Sequence, residues 1–156
     1  SALPDTLANQ LALPEIPKDI LDRFSVEIAE GHCNMLPESM LGGFSTVQFA
    51  RDASLARAMY DAATQSENIE GAFLIAGVMH VRNTVAVPWH LERFETKLDE
   101  NDIAVVSLIE ADDPSDTPQS ISDYAMRFGA ADDIDFMWFT NDIVRGDPCT
   151  NLTIGQ

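Results

Sequence analysis

At 156 residues the chain is the size of one domain, and its 46% hydrophobic content excludes wholesale disorder. Nine Lys and Arg against 26 Asp and Glu give a formal charge of −17, a surface that repels nucleic acid and anionic lipid. No apolar run approaches the roughly 20 residues of a membrane span, so no transmembrane segment is expected.

Residues 1–17 hold Pro4, Pro14 and Pro17 among scattered leucines and read as an extended lead-in. Over Lys18–Glu30, apolar Ile20, Leu21, Phe24 and Ile28 recur at helical spacing and predict a helix. Gly31-His32-Cys33-Asn34 should close it, with glycine in the usual C-terminal position and His32-Cys33 in a capping role. Pro37-Glu38 opens a second segment that Gly42-Gly43 should interrupt. The longest helical pattern then runs from Phe44 to about Thr64 on Phe44, Val47, Leu55, Met59 and Ala62.

Gly71–Val78 is continuously apolar and bounded by glycine, the pattern of a strand buried on both faces of a parallel sheet. A helix is expected from Pro88 to about Lys97, and a second buried strand over Ile103–Ile109. An acidic loop over Asp112–Gln119, a helix near Ile121–Phe128, a third strand over Asp135–Thr140 and a coil tail complete the chain. The alternation predicts an α/β fold, a mainly parallel sheet with helices packed on it. Three strands are few for this length, and fully buried strands want sheet neighbours on both sides. Residues 1–156, which open Ser1-Ala2 rather than Met, therefore read as one domain that is the incomplete C-terminal half of a larger α/β domain.

In open α/β sheets ligands sit at the carboxyl ends of strands, and Gly77-Val78-Met79-His80 is placed at such an end. An imidazole there can ligate a metal, act as a general base, or donate to a carboxylate; it can equally be structural. Gln48, Arg51 and Asp52 are spaced to share a helix face, where Arg51 offers a bidentate fork for a carboxylate or phosphate. Asp52 could orient Arg51 or a nearby histidine, or the trio could be an exposed face with an incidental pair. Tyr60 and Tyr124 are the only tyrosines and could each ligate haem iron as a phenolate, or be half-buried with a wet hydroxyl. His90, beside Trp89, reads most simply as a packing or surface residue. Cys33 and Cys149 lack metal-motif spacing and are either two free thiols or one disulfide closing a long loop.

Charge is uneven. Residues 51–97 carry five cations against six acids, whereas residues 98–156 carry two against thirteen, so the middle stretch best tolerates an anionic ligand.

Taken in order, several segments resemble the ChaN-like haem-binding uptake proteins of the Tiki superfamily. They are Glu27-Ile28 to His32-Cys33, Leu36-Pro37-Glu38, Gln48-Phe49-Ala50-Arg51-Asp52, Leu74 to Arg82, Val87-Pro88-Trp89-His90-Leu91, Phe136 to Thr140, and Asp147-Pro148-Cys149. The resemblance implies an α/β fold with two Gly-x-x-His elements, one per half. Gly77 to His80 matches the second; the first has no counterpart here, which is the other reason to read the chain as a C-terminal half.

The resemblance further implies an iron-regulated, non-catalytic haem-binding protein of bacterial iron uptake, periplasmic or anchored as a lipoprotein through the absent N-terminus, and in some members dimeric with haem between subunits. Carried over by position, His80, Arg51 and Gln48 would line the pocket, with Arg82, two residues past His80, facing a haem propionate and Asp52 a further ligand-binding candidate. The iron ligand would be His80, or Tyr60 or Tyr124, or lie in the absent half. An exported protein also inclines the cysteines toward a Cys33–Cys149 bridge. The alternative reading is a Tiki-type metal-dependent hydrolase or peptidase, in which His80 and Asp52 would help hold a divalent metal ion that activates water.

Overall fold

A computed structural model describes residues 15–65, 71–94, 98, 102–111, 120–128, 131–141 and 148–151. The predicted lead-in and the acidic loop after Ala111 fall largely or wholly outside these. The chain forms two compact units: residues 1–57 with 145–156, and residues 58–144.

In the first unit, helix α1 spans Lys18–Gly31. Pro17 sets its entry, with Leu21 N–H donating to the Pro17 carbonyl at 3.1 Å. Asp19 in the first turn suits the positive end of the helix dipole. Ile20, Phe24 and Ile28 make the buried stripe, in the spacing the sequence carries.

The end of α1 differs from the sequence expectation. Gly31 is its last helical residue, and the left-handed position falls on Cys33, with φ 57°, followed by Asn34 at φ 56°. Cys33 N–H donates to the Glu30 carbonyl at 2.8 Å and Asn34 N–H to the Ala29 carbonyl at 2.7 Å. That pair of bonds is the Schellman closure, with cysteine where glycine is usual. His32 takes the capping role, its Nδ1 lying 2.7 Å from the Ile28 carbonyl oxygen. Cys33 is joined by a disulfide to Cys149, with their Cα atoms 5.7 Å apart.

Helix α2 spans Glu38–Thr64 without a break, so Gly42-Gly43 does not interrupt it. Hydroxyls just beyond the glycines bond back along the helix, Ser45 Oγ to the Leu41 carbonyl at 2.9 Å and Thr46 Oγ1 to the Gly42 carbonyl at 2.8 Å. A Cβ at either glycine would meet nothing within 4 Å. Glycine in a helix interior costs about 0.5–1 kcal/mol relative to alanine. Gly42→Ala is therefore expected to stabilise the protein by about that amount, read as a higher denaturation midpoint.

The inward face of α2 is not the predicted stripe. Ser45, Phe49, Asp52, Ala53 and Ala56 are buried, while Phe44 and Val47 are exposed. On this face Ser25 Oγ lies 3.0 Å from Ser45 Oγ, a hydroxyl pair between the two helices.

The second unit contains the sheet. Strand β1 spans Val106–Ala111 and β2 spans Phe136–Asn141, paired in parallel from Val106 opposite Phe136 to Ala111 opposite Asn141. Helix α4 spans Ile121–Phe128; helix α3, Val87–Leu91, precedes β1 and is shorter than the sequence suggests. Val105, Ile109, Tyr124 and Ile134 form the buried cluster, with Val81 and Met137 packed against it.

Two strands form among the described residues where three were expected. Residues 71–77 are neither helix nor strand, and Phe73 and Ile75 are 85% and 81% exposed. An apolar run becomes a buried strand only when neighbours supply a ladder and two covered faces, and none of the described residues does so here. Likewise β1 starts later than Ile103 and buries one face only, with Val105, Ser107 and Ile109 inward and Val106 and Leu108 outward.

Candidate functional site

His80 ends a short 3₁₀ turn, Val78–His80, in the second unit rather than a strand. Its N–H donates to the Gly77 carbonyl at 2.9 Å, and Val81 N–H to the Val78 carbonyl at 3.3 Å. Gly77 has an ordinary extended backbone, φ −62° and ψ 151°, so the turn does not require glycine. What the missing Cβ leaves is open space, since nothing stands within 4 Å of where it would be. The imidazole is half-buried.

Three features hold this turn in place. Val81 is packed against the cluster of Val105, Ile109, Tyr124 and Ile134. Asn83 N–H donates to the Asp133 carbonyl at 3.1 Å, and its Nδ2 lies 3.3 Å from both Asp135 carboxylate oxygens. Thr84 Oγ1 donates to the carboxylate of Asp133, which is buried. Asp135 in turn accepts from Val105 N–H at 2.7 Å, fastening the start of β1. A buried carboxylate is stable only when hydrogen-bonded, and these bonds satisfy that need.

Beyond the brace, residues 85–91 are buried throughout, His90 included, its ring 5.0 Å from Trp89. Arg93 lies over the Trp89 ring at 3.7 Å and donates to the Trp89 carbonyl at 2.8 Å. A cleft of about 690 Å³ opens here, lined by Asn83, Thr84, Trp89, Glu92, Arg93, Ile103, Ala131, Asp132, Ile134 and Asp135.

The sequence candidates separate into different environments. Arg82 shares the His80 segment, with Nη2 2.7 Å from Met79 Sδ. In the first unit, Gln48 Nε2 lies 3.4 Å from both carboxylate oxygens of Asp52, so those two are brought together. Arg51 does not share their environment: it is exposed, whereas Asp52 is fully buried. One residue is a rotation of about 100° on a helix, enough to put neighbours on different sides. Tyr60 is half-buried, its ring edge-on to Phe94 at 5.8 Å, and Tyr124 belongs to the hydrophobic cluster. Among the described residues no three His, Cys, Asp or Glu side chains gather as a metal site.

The bracing residues Asn83, Thr84, Asp133 and Asp135 went unread in the sequence. Their one signal is two short polar pieces, Asn83-Thr84 and Asp132-Asp133, set beside apolar runs.

Residues 2–91, more than half of the chain, match the family described as haem-binding uptake, Tiki superfamily, ChaN. The chain belongs to this family. The matched stretch contains Gln48 to Asp52, the Gly77 to His80 turn, Arg82 and α3; β1, α4, β2 and Cys149 lie beyond it. No curated protein and no solved structure matches the chain. The ChaN family name implies haem, and the residues around His80 suit it chemically. An imidazole and a guanidinium two residues apart, with exposed Phe73, Ile75 and Val78 just before them in the chain, are the donor, cationic and apolar groups that an iron porphyrin with propionates would need. No helix among the described residues is long and apolar enough to cross a membrane.

Proposed function

We propose that this chain binds haem, without catalytic turnover, as a member of a bacterial haem and iron uptake system. The observation that carries the reading is the family match running through the His80 turn. His80 supplies a nitrogen donor to iron, and Arg82 pairs with a propionate. Phe73, Ile75 and Val78 cover apolar porphyrin surface that water would otherwise meet. Haem brings the redox iron; the chain's own part is to hold, orient and shield it.

The cation-bearing stretch 51–97 supports an anionic ligand on a protein of formal charge −17. The Cys33–Cys149 disulfide supports an oxidising compartment, in keeping with a periplasmic or lipid-anchored protein. We take the chain as the C-terminal half of its domain, with the remainder of the haem pocket supplied by the other half or by a second copy.

A haemin titration followed through the Soret band tests this. Saturable binding by the full-length protein is expected, with His80→Ala weakening it at least tenfold while the melting temperature stays unchanged. A large loss of stability in His80→Ala with unchanged binding would make His80 a packing residue. Failure of the full-length protein to bind haemin, with a divalent ion found by metal analysis, would move the reading to a metal-dependent hydrolase.

A further inference from the structure

Asp133 takes bonds from two consecutive residues of the segment that follows His80. Its backbone carbonyl accepts from Asn83 N–H at 3.1 Å, and its carboxylate accepts from Thr84 Oγ1. Asp133 is only 4% exposed, so water competes little for its carboxylate and the bond is the stronger for it. Two residues on, the Asp135 carboxylate receives the Asn83 amide at 3.3 Å. Both acids stand on rigid ground. Ile134 between them belongs to the hydrophobic cluster, and the N–H groups of Asp135 and Phe136 each donate to the Val105 carbonyl at 3.0 Å.

Arg82 sits between fixed points. Before it, Val81 packs against the cluster of Val105, Ile109, Tyr124 and Ile134. After it, Asn83 is tied to Asp133 and Asp135. Its own carbonyl accepts from Ala86 N–H at 3.1 Å, and Ala86 is fully buried. The backbone is therefore held before, at and after residue 82, which sets the direction in which the guanidinium leaves the chain. His80 is one residue upstream of Val81 and shares that anchor. A binding side chain is precise only when its supports are themselves locked, and here the locks come from the strand-bearing part of the unit. The family match ends at residue 91, so neither acid falls within it.

We propose that Asp133 and Asp135 are positioning residues for the ligand site, setting Arg82 and His80 through Thr84 and Asn83. The inference rests on the haem reading above. The two acids act through these neighbours rather than on the porphyrin, and fix where the propionate partner stands. Loss of such an outer support weakens binding roughly tenfold or more in sites of comparable build.

The test uses the full-length protein. Thr84→Val keeps the side-chain shape at an exposed position and removes the donor to Asp133. Its haemin affinity should fall roughly tenfold, and Thr84→Ser, which keeps the hydroxyl, should restore it. Arg82→Ala should also weaken haemin binding. Adding Thr84→Val to it should cost little more, because two changes that act through one contact are not additive. In the haem-free protein, hydrogen exchange at the His80 and Val81 amides should quicken in Thr84→Val while the amides of β1 and β2 stay as they were. Should Thr84→Val lose its fold by circular dichroism, Asn83→Ala, which removes the side-chain bonds to Asp135, is read in the same way. Undiminished affinity, losses that simply multiply in the double variant, or no recovery in Thr84→Ser would each overturn the proposal. A parent that binds no haemin removes the haem reading instead. Amide exchange then judges the positioning by itself, and unchanged exchange at His80 and Val81 overturns it.

Discussion

Cys149→Ser lowers the stability of the oxidised protein by about 4–5 kcal/mol, the largest single effect expected in this chain. The bridge joins residues 116 apart, and closing a loop of that length removes a correspondingly large entropy from the unfolded chain. The native cost of making the bridge is small in cavity terms, because Cys149 is exposed. Cys33→Ser removes the same cross-link and keeps the left-handed backbone penalty at φ 57°, so it should match Cys149→Ser. Cys33→Gly should recover about 1 kcal/mol of that loss, since glycine occupies the Schellman position without strain. Urea denaturation of the four proteins, with and without dithiothreitol, reads all three differences. A reductant that leaves the parent curve unmoved would show that the bridge contributes nothing.

The second large effect is Phe49→Ala, expected to cost about 3–5 kcal/mol, the usual range for a fully buried aromatic ring. Val47→Ala, two residues away on α2, should cost well under 1 kcal/mol, because Val47 is 49% exposed. The comparison locates the inward face of α2 by chemical denaturation alone. Equal losses at the two positions would contradict the burial described for this helix.

That same helix shows how far the sequence could be read. Apolar spacing identifies α1 and its buried stripe correctly, since Ile20, Phe24 and Ile28 are both hydrophobic and inward. On α2 the rule fails because the buried face mixes Phe49 and alanines with Ser45 and Asp52, while Phe44 and Val47 look outward. Polar atoms can be buried when they find partners, as Asp52 does in Gln48 and Ser45 in the Leu41 carbonyl, and pairing is invisible to periodicity. Gly42-Gly43 misled similarly, because a helix held by its neighbours tolerates two glycines.

For the site, the local chemistry of Gly77 to His80 was legible and its setting was not. Glycine-bounded apolar residues read as a buried strand, yet Phe73 and Ile75 stand in solvent because nothing described here pairs with them. The brace lies between residues 83–84 and 133–135, a separation that no local pattern can encode. The disulfide was reached through a resemblance rather than from spacing, since two distant cysteines are compatible with several chemistries.

The brace also dictates an order of assembly. Thr84 and Asn83 take their anchors from residues some fifty positions downstream, and Val81 takes its packing from β1 and α4. During synthesis, which runs from the N-terminus, the His80 turn therefore emerges before anything exists to hold it. The haem-family stretch ends at residue 91, well before Asp133 and Asp135 have been made. A polypeptide cut at that boundary would contain every residue of the His80 motif and none of the downstream side chains that anchor it.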